Sequence, residues 1–207
     1  QEISDTTAQA DEAASTLGEL ADRTDLTVDD VVAQLTEANH RIVQSGIANP
    51  RTWGMATTLT GAALVVGEDG GRAWAIVNLG DSRVYRYAAG ALTQVTVDHS
   101  EVQEMVNRGY LTDAEARVHP LRHTVTRSLG RDRVPVADTW VLPVMVGERF
   151  VVCSDGLTNE VLDAQIASLL GEMADVQAAA QALVDAAVAN GGRDNVTVIV
   201  VEVEATD

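Results

Sequence analysis

The stretch over residues 150–157 constrains the fold more than any other part of this 207-residue sequence. An apolar run there ends at Cys153 and is followed, after one serine, by Asp155 and Gly156. β-Branched residues favour a buried strand, and a glycine lets backbone or a ligand approach the strand's end. The stretch therefore predicts a buried strand that delivers a carboxylate to a site. Asp-Gly is also a common turn signal, so this stretch alone fits a plain turn as well.

The composition indicates a single acidic globular domain. Apolar residues make up 46% and charged residues 22%, as in ordinary soluble proteins. A chain of this length can bury a sizeable core and does not require two domains. Lys and Arg number 14 against 31 Asp and Glu, a net charge of −17, which disfavours nucleic acid and anionic lipid as partners. We expect one domain over residues 1–207 and no nucleic-acid partner.

The cysteine content and the hydropathy indicate a protein of a reducing compartment. Cys153 is the only cysteine, so an internal disulfide framework and a cysteine-rich zinc site are both excluded. No run of about 18 apolar residues is present, and the first residues show no signal-peptide pattern. We expect a cytoplasmic location, or a cytoplasmic domain of a larger protein, with no membrane segment in this chain.

Hydrophobic periodicity predicts both helices and strands. We expect a weak helix or arm over residues 1–23 and a clear helix after a Thr27 cap. Strands are expected over residues 57–66, 73–79, 83–87, 92–97, 136–144, 148–154 and 196–203. The first three are expected to form an antiparallel meander, and 92–97 a short additional strand. Helices are expected over residues 101–109, 111–118, 160–171 and 173–190.

Three acids lie where predicted strands meet loops. Asp155 follows one strand, Asp194 precedes another, and Asp98 follows a third. Carboxylate oxygens suit hard ions such as Mg²⁺ and Mn²⁺. Paired acids of this kind hold two ions about 3.5–4 Å apart in hydrolases that use a metal-bound water. Turns also select Asp, so the three acids alone do not decide the matter.

Positive charge concentrates in one polar segment of this acidic chain, at Arg117, Arg122, Arg127, Arg131 and Arg133. The segment either meets an anion or pairs with the surplus carboxylates. The sequence leaves both interpretations open.

Six ordered motifs carry a specific resemblance. They are Gly-Met-Ala-Thr-Thr-Leu at 54–59, Val-Asn-Leu-Gly-Asp-Ser-Arg at 77–83, Val-Asp-His-Ser at 97–100, the run over 113–130, Cys-Ser-Asp-Gly-Leu at 153–157 and Gly-Arg-Asp-Asn-Val-Thr at 192–197. Together they resemble the metal-dependent protein phosphatases of the PP2C (PPM) family in its bacterial form, from about residue 31 to the end.

The resemblance implies an α+β fold, an αββα sandwich of two antiparallel sheets flanked by helices. It implies a centre of two Mn²⁺ or Mg²⁺ ions, with a third in bacterial members. The implied reaction is hydrolysis of phosphoserine and phosphothreonine in proteins by a metal-activated water. Phosphorylated substrates of a Ser/Thr kinase would be the partners.

The resemblance also assigns roles to residues. Asp155 and Asp194 would be metal ligands, and Asp98 would help to hold the third ion. The segment at about 101–130 resembles a flap beside the site, where His99, His119 and His123 are expected as capping or flap residues. The substrate-facing flap residues would be Arg122, Arg127 and His119, and the structural motif residues Gly80, Asp81, Ser82, Arg83, Gly156 and Asn195.

One part of the family pattern is missing from this sequence. Family members begin with strands that carry a phosphate-contacting Arg, a Glu-Asp pair and an Asp-Gly-Met-Gly-Gly-His type motif, whose Asp bridges both metals. Three accounts remain open: the chain is a piece whose N-terminal strands are missing, it is an inactive phosphopeptide-binding or regulatory module, or another chain completes the site. Missing strands would leave exposed sheet edges, which favours the first.

Overall fold

The computed structural model describes residues 23–131 and 136–205. The predictions for residues 1–22 and for Arg133 lie outside these ranges. The elements in chain order are α1 (Val28–Ala48), a 3₁₀ turn (Pro50–Thr52), β1 (Leu59–Val66), β2 (Arg72–Leu79), β3 (Arg83–Ala88), β4 (Ala91–Gln94), α2 (Glu101–Asn107), α3 (Asp113–Val118), β5 (Asp138–Pro143), β6 (Arg149–Cys153), α4 (Asp155–Thr158), α5 (Asp163–Glu172), α6 (Val176–Ala189) and β7 (Val198–Glu202). Helix α1 begins at the predicted Thr27 cap.

The strands form two antiparallel sheets with helices outside them. One sheet has the order β1-β2-β5 and the other β4-β3-β6-β7. Helix α1 packs on the first sheet through Val31 and Leu35, and helices α5 and α6 pack on the second through residues such as Ile166 and Leu183. Phe150 and other apolar residues fill the space between the sheets. The predicted αββα sandwich is confirmed.

The meander expected over residues 57–87 is wrong, because the chain changes sheets after β2. Strands β1 and β2 pair with each other, whereas β3 and β4 belong to the second sheet. Gly80 makes the crossing with a φ of 127°, and a Cβ there would lie 2.4 Å from the Thr58 side chain. Only glycine fits such a position without strain.

None of the helices in the described ranges is both long enough and apolar enough to cross a membrane.

Strand β6 and the segment before β7 approach each other closely at one end of the second sheet. A Cβ on Gly156 would lie 2.2 Å from the backbone oxygen of Asn195. A real side chain cannot occupy that space, so the two backbones depend on glycine for their separation.

We predict that Gly156→Ala lowers the free energy of unfolding by about 1–3 kcal/mol, because the added methyl group forces the two segments apart. Urea denaturation measures this change. The matched control is Gly61→Ala in β1, where an added Cβ meets nothing within 4 Å, and we expect a change within about 0.5 kcal/mol. Equal costs for the two variants would contradict the close approach.

Candidate metal centre

The strand register brings three acids to the same end of the second sheet. Strand β6 pairs with β3 so that Cys153 lies opposite Arg83. Asp81 lies two residues before Arg83 and Asp155 two residues after Cys153, so the antiparallel pair places both at this end. Strand β7 pairs with the other side of β6. It begins at Val198, shortly after Asp194, so Asp194 lies at the same end of the sheet.

Ser154 ties the segments that carry Asp155 and Asp194 together. Its backbone N–H donates to Thr197 O at 3.1 Å, and its hydroxyl accepts from Thr197 N at 3.1 Å. The same hydroxyl donates to Asn195 O at 3.3 Å. These bonds join the loop that carries Asp155 to the loop that carries Asp194, so they limit the movement of one acid relative to the other.

Neither carboxylate has a cationic side chain as partner within residues 23–131 and 136–205. Asp155 Oδ2 accepts from Asn159 Nδ2 at 3.1 Å. Asp194 Oδ1 accepts from the Asn195 N–H at 2.7 Å. The nearby Arg193 donates instead to both carboxylate oxygens of Glu160. Both acids therefore keep their negative charge unneutralised.

Asp81 adds a third acid to this group. Burial, and next the negative charge of Asp155, raise the pKa of Asp81 from its ordinary value of 3.8 to about 6. Burial is the larger cause, and the contribution of Asp155 is the one expected of a like charge nearby. A bound divalent ion would remove the repulsion, since its own charge dominates such a site.

Asp98, by contrast, has its charge neutralised within the protein. Arg83 donates from Nε at 2.9 Å and from Nη2 at 2.7 Å to the two carboxylate oxygens of Asp98. Gln94 Nε2 donates to the same group at 3.0 Å. Strand β4 also ends at Gln94, so Asp98 does not end a strand as expected. The structure thus pairs Asp98 with Arg83 and leaves Asp81, expected as a structural residue, beside Asp155.

His99 holds the turn that carries Asp81. The backbone N–H of Gly80 donates to His99 Nδ1 at 3.1 Å, and the backbone N–H of His99 donates to Gly80 O at 2.8 Å. Since Nδ1 accepts, the ring proton is on Nε2, which donates to Asp138 Oδ2 at 3.2 Å. The side chain is buried and acts in the turn, without a free nitrogen for a metal. On the other side of this turn, the Ser82 hydroxyl lies 3.2 Å from that of Thr58.

The expected flap residues have partners within the protein. His119 ends α3 and accepts through Nδ1 from the Leu121 N–H at 3.2 Å. Arg122 donates to His119 O at 3.4 Å, and Arg127 forms an ion pair of 2.9 Å with Asp138. The interpretation that arginines pair with carboxylates thus describes Arg127, and Arg117 as well.

The residues present fit a Mn²⁺ or Mg²⁺ centre in donor chemistry but not in number. Asp81, Asp155 and Asp194 offer only oxygen atoms, which both ions prefer. Within the two described ranges, no group of three or more acids, histidines or cysteines is arranged closely enough to hold a metal by itself. The described residues therefore supply part of a ligand set.

The sequence contained a signal for Asp81 that was not used. Asp81 follows a glycine and lies two residues before β3, and Asp155 lies two residues after β6 and is followed by a glycine. In an antiparallel pair, a residue before one strand and a residue after its neighbour meet at the same end. That symmetry would have grouped the two acids once β3 and β6 were known to be neighbours.

We predict that Asp81→Asn raises the free energy of unfolding of chelator-treated protein at pH 8 by about 1–2 kcal/mol, less than full linkage because Asp81 is partly exposed. The pKa of Asp81 is raised in the folded protein, so its ionised form is destabilising above pH 6. The gain should shrink as the pH falls below 6 and be mostly lost at about pH 4, near the ordinary pKa of 3.8, because the group becomes protonated in both states at lower pH. Thermal or urea unfolding at both pH values measures it.

The control for this measurement is Glu68→Gln, an exposed acid in the turn between β1 and β2. Its effect should stay within about 0.5 kcal/mol at both pH values. A gain for Asp81→Asn that persists unchanged at pH 4 would contradict the charge repulsion between Asp81 and Asp155.

Comparisons with known proteins agree with this architecture. The family model for protein phosphatase 2C matches residues 6–190. The serine/threonine phosphatase stp of Listeria welshimeri is 32% identical over 169 residues, which are 82% of this chain and 65% of that protein. The serine/threonine protein phosphatase PstP of Mycobacterium tuberculosis is 38% identical over 178 residues, 84% of this chain and 33% of PstP.

A solved structure gives the same result at the level of the fold. The catalytic domain of PstP in complex with two manganese ions superposes with a TM-score of 0.81 at 31% identity, covering 96% of this chain and 82% of that one. The chain spans about two thirds, 65%, of the length of the Listeria relative. The family match, the identities and the shared fold together show that this chain belongs to the protein phosphatase 2C family.

Proposed function

We propose that this chain forms the body of a metal-dependent phosphatase site that hydrolyses phosphoserine and phosphothreonine in proteins. The observation that carries the proposal is the placement of Asp81, Asp155 and Asp194 at the same end of one sheet, where neither Asp155 nor Asp194 has a cationic side chain as partner among the described residues. The family relationship supports it, since the similar proteins from Listeria and M. tuberculosis are serine/threonine phosphatases.

We propose Asp155, Asp194 and Asp81 as the residues of this chain that hold Mn²⁺ or Mg²⁺, two ions or three. A bound ion of this kind polarises a phosphoryl oxygen and makes a water molecule a better nucleophile. Asp81 replaces Asp98 in this set, because the Arg83 ion pair occupies the Asp98 carboxylate.

The other residues of the site orient these acids. His99 fixes the Gly80 turn and with it the direction of the Asp81 carboxylate. Ser154 and Gly156 hold the loop of Asp155 against the loop of Asp194. Preorganised ligands of this kind bind a metal without first having to be ordered.

The proposed substrates are phosphorylated proteins, including those of a Ser/Thr kinase. A compact phosphomonoester carries the negative charge that bound metal ions attract, while the acidic surface of this chain, at −17 overall, disfavours polyanions. Arg122 and Arg127, in the segment over residues 101–130, are the proposed contacts to the peptide.

We predict Mn²⁺-dependent turnover of a phosphothreonine peptide and of p-nitrophenyl phosphate, with a loss of at least about 100-fold in Asp155→Asn and Asp194→Asn, because each removes a metal ligand. The assay follows released phosphate, with Glu68→Gln as the control of unchanged activity. Mn²⁺-induced thermal stabilisation of the wild-type protein, reduced in Asp81→Asn, gives a readout that does not need turnover.

Turnover that survives both Asp155→Asn and Asp194→Asn would contradict the assignment of the site. Phosphopeptide binding without any turnover, in the presence of Mn²⁺, would instead support the inactive regulatory module.

A further inference from the structure

The flap, defined here as residues 101–125, is joined to the body by a narrow base. The Glu101 N–H donates to Thr124 O at 3.0 Å, and the Thr126 N–H donates to His99 O at 2.8 Å. Ser100 and Val125 form an isolated antiparallel bridge between these bonds. The base is therefore fixed by backbone hydrogen bonds that depend little on side-chain identity.

Beyond its base, the flap packs weakly. Helix α3 has no buried residue, and in α2 only Val102 is buried. Tyr110 and Val118 are 74% and 78% exposed. Apolar burial is the main source of local stability, so packing alone does not fix the position of α3 against the body.

Arg117, on α3, makes the connection that packing does not. Its Nη1 donates to Thr158 O at 3.2 Å, and its Nη2 donates to Asp163 Oδ1 at 3.3 Å. Among the hydrogen bonds of the described residues, these two are the side-chain bonds that join the flap to the body beyond residues 99–126. One guanidinium group thus spans two acceptors on different helices, which its planar fork suits.

Both acceptors are tied to the metal-site end of the sheet. Thr158 is the last residue of α4, the single helical turn that begins at Asp155. Asp163 Oδ1 also accepts from the Tyr85 hydroxyl at 3.2 Å, and that hydroxyl accepts from Arg83 Nη1 at 2.9 Å. A displacement of the flap is therefore a displacement relative to the proposed ligands.

We propose that Arg117 is a positioning residue, a latch that sets the distance between α3 and the Asp155 end of the sheet. In this position it governs access for the peptide part of a phosphoprotein substrate, while a small phosphomonoester enters without contact with α3. The access role rests on the proposed function, whereas the latch itself rests on the contacts of Arg117 alone.

Hydrogen exchange of the whole chain tests the latch without any need for activity. In Arg117→Ala, backbone amides of residues 101–125 should exchange about fivefold faster, while amides of β6 and α6 stay unchanged. Arg117→Lys keeps the charge and one donor, and should give an intermediate rate. The matched control is Arg108→Ala, which should leave exchange elsewhere in the flap unchanged, since among the described residues the Arg108 side chain pairs with Glu104 of the adjacent helix α2.

Steady-state kinetics test the access role. Arg117→Ala should change KM for a phosphothreonine peptide about fivefold and leave kcat/KM for p-nitrophenyl phosphate within about twofold, with Arg117→Lys between wild type and Arg117→Ala.

Unchanged exchange in Arg117→Ala overturns the latch. Faster exchange with equal kinetic effects on both substrates overturns the access role. Absence of turnover in the wild-type protein refutes the proposed function and, with it, the access role, but leaves the exchange result on the latch standing.

Discussion

The pairing of β6 with β3 on one side and with β7 on the other is the interaction on which the rest of the structure depends. Within residues 23–131 and 136–205, β6 alone pairs with both β3 and β7, the strands next to the segments of Asp81 and Asp194, through the opposite positions Arg83–Cys153 and Cys153–Val198. Its residues Phe150 and Val151 are fully buried on opposite faces of the sheet. A slip of one residue would reverse these faces and move the acids apart, so core packing and site geometry are specified together.

The candidate site brings negatively charged side chains to one end of the sheet, and an ion pair neutralises one further acid beside it. Burial and, next, the negative charge of Asp155 raise the pKa of Asp81. Asp98, the next acid in this region, is neutralised by Arg83, whose third nitrogen donates to Tyr85. Among the described residues, Asp98 thus has a cationic partner, whereas Asp155 and Asp194 have none, as the proposed cation site requires.

Most of the elements were predictable from the sequence, because period and capping are local properties. Helix α1 with its Thr27 cap and strand β7 within the apolar run after Asn195 are examples. Sheet membership was not, since a strand pattern does not identify the partner strand. The partners of Asp81 and Asp98 were not predictable for a related reason: the sequence shows acids but not the groups that lie beside them. Arg83 lies two residues from Asp81, yet the fold directs its guanidinium to Asp98, 15 residues away.

The most direct measurement is paramagnetic broadening of backbone amide signals during a Mn²⁺ titration, because broadening falls steeply with distance from the ion. The account predicts that signals from residues 80–82, 154–156 and 194–196 broaden first, at the lowest Mn²⁺ concentration. The acidic turn over residues 67–71 joins β1 and β2 at the end of this strand pair that lies away from Gly80 and Asp81. Its signals should broaden only later. First broadening at that turn, or uniform broadening along the chain, would contradict a metal centre built on Asp81, Asp155 and Asp194.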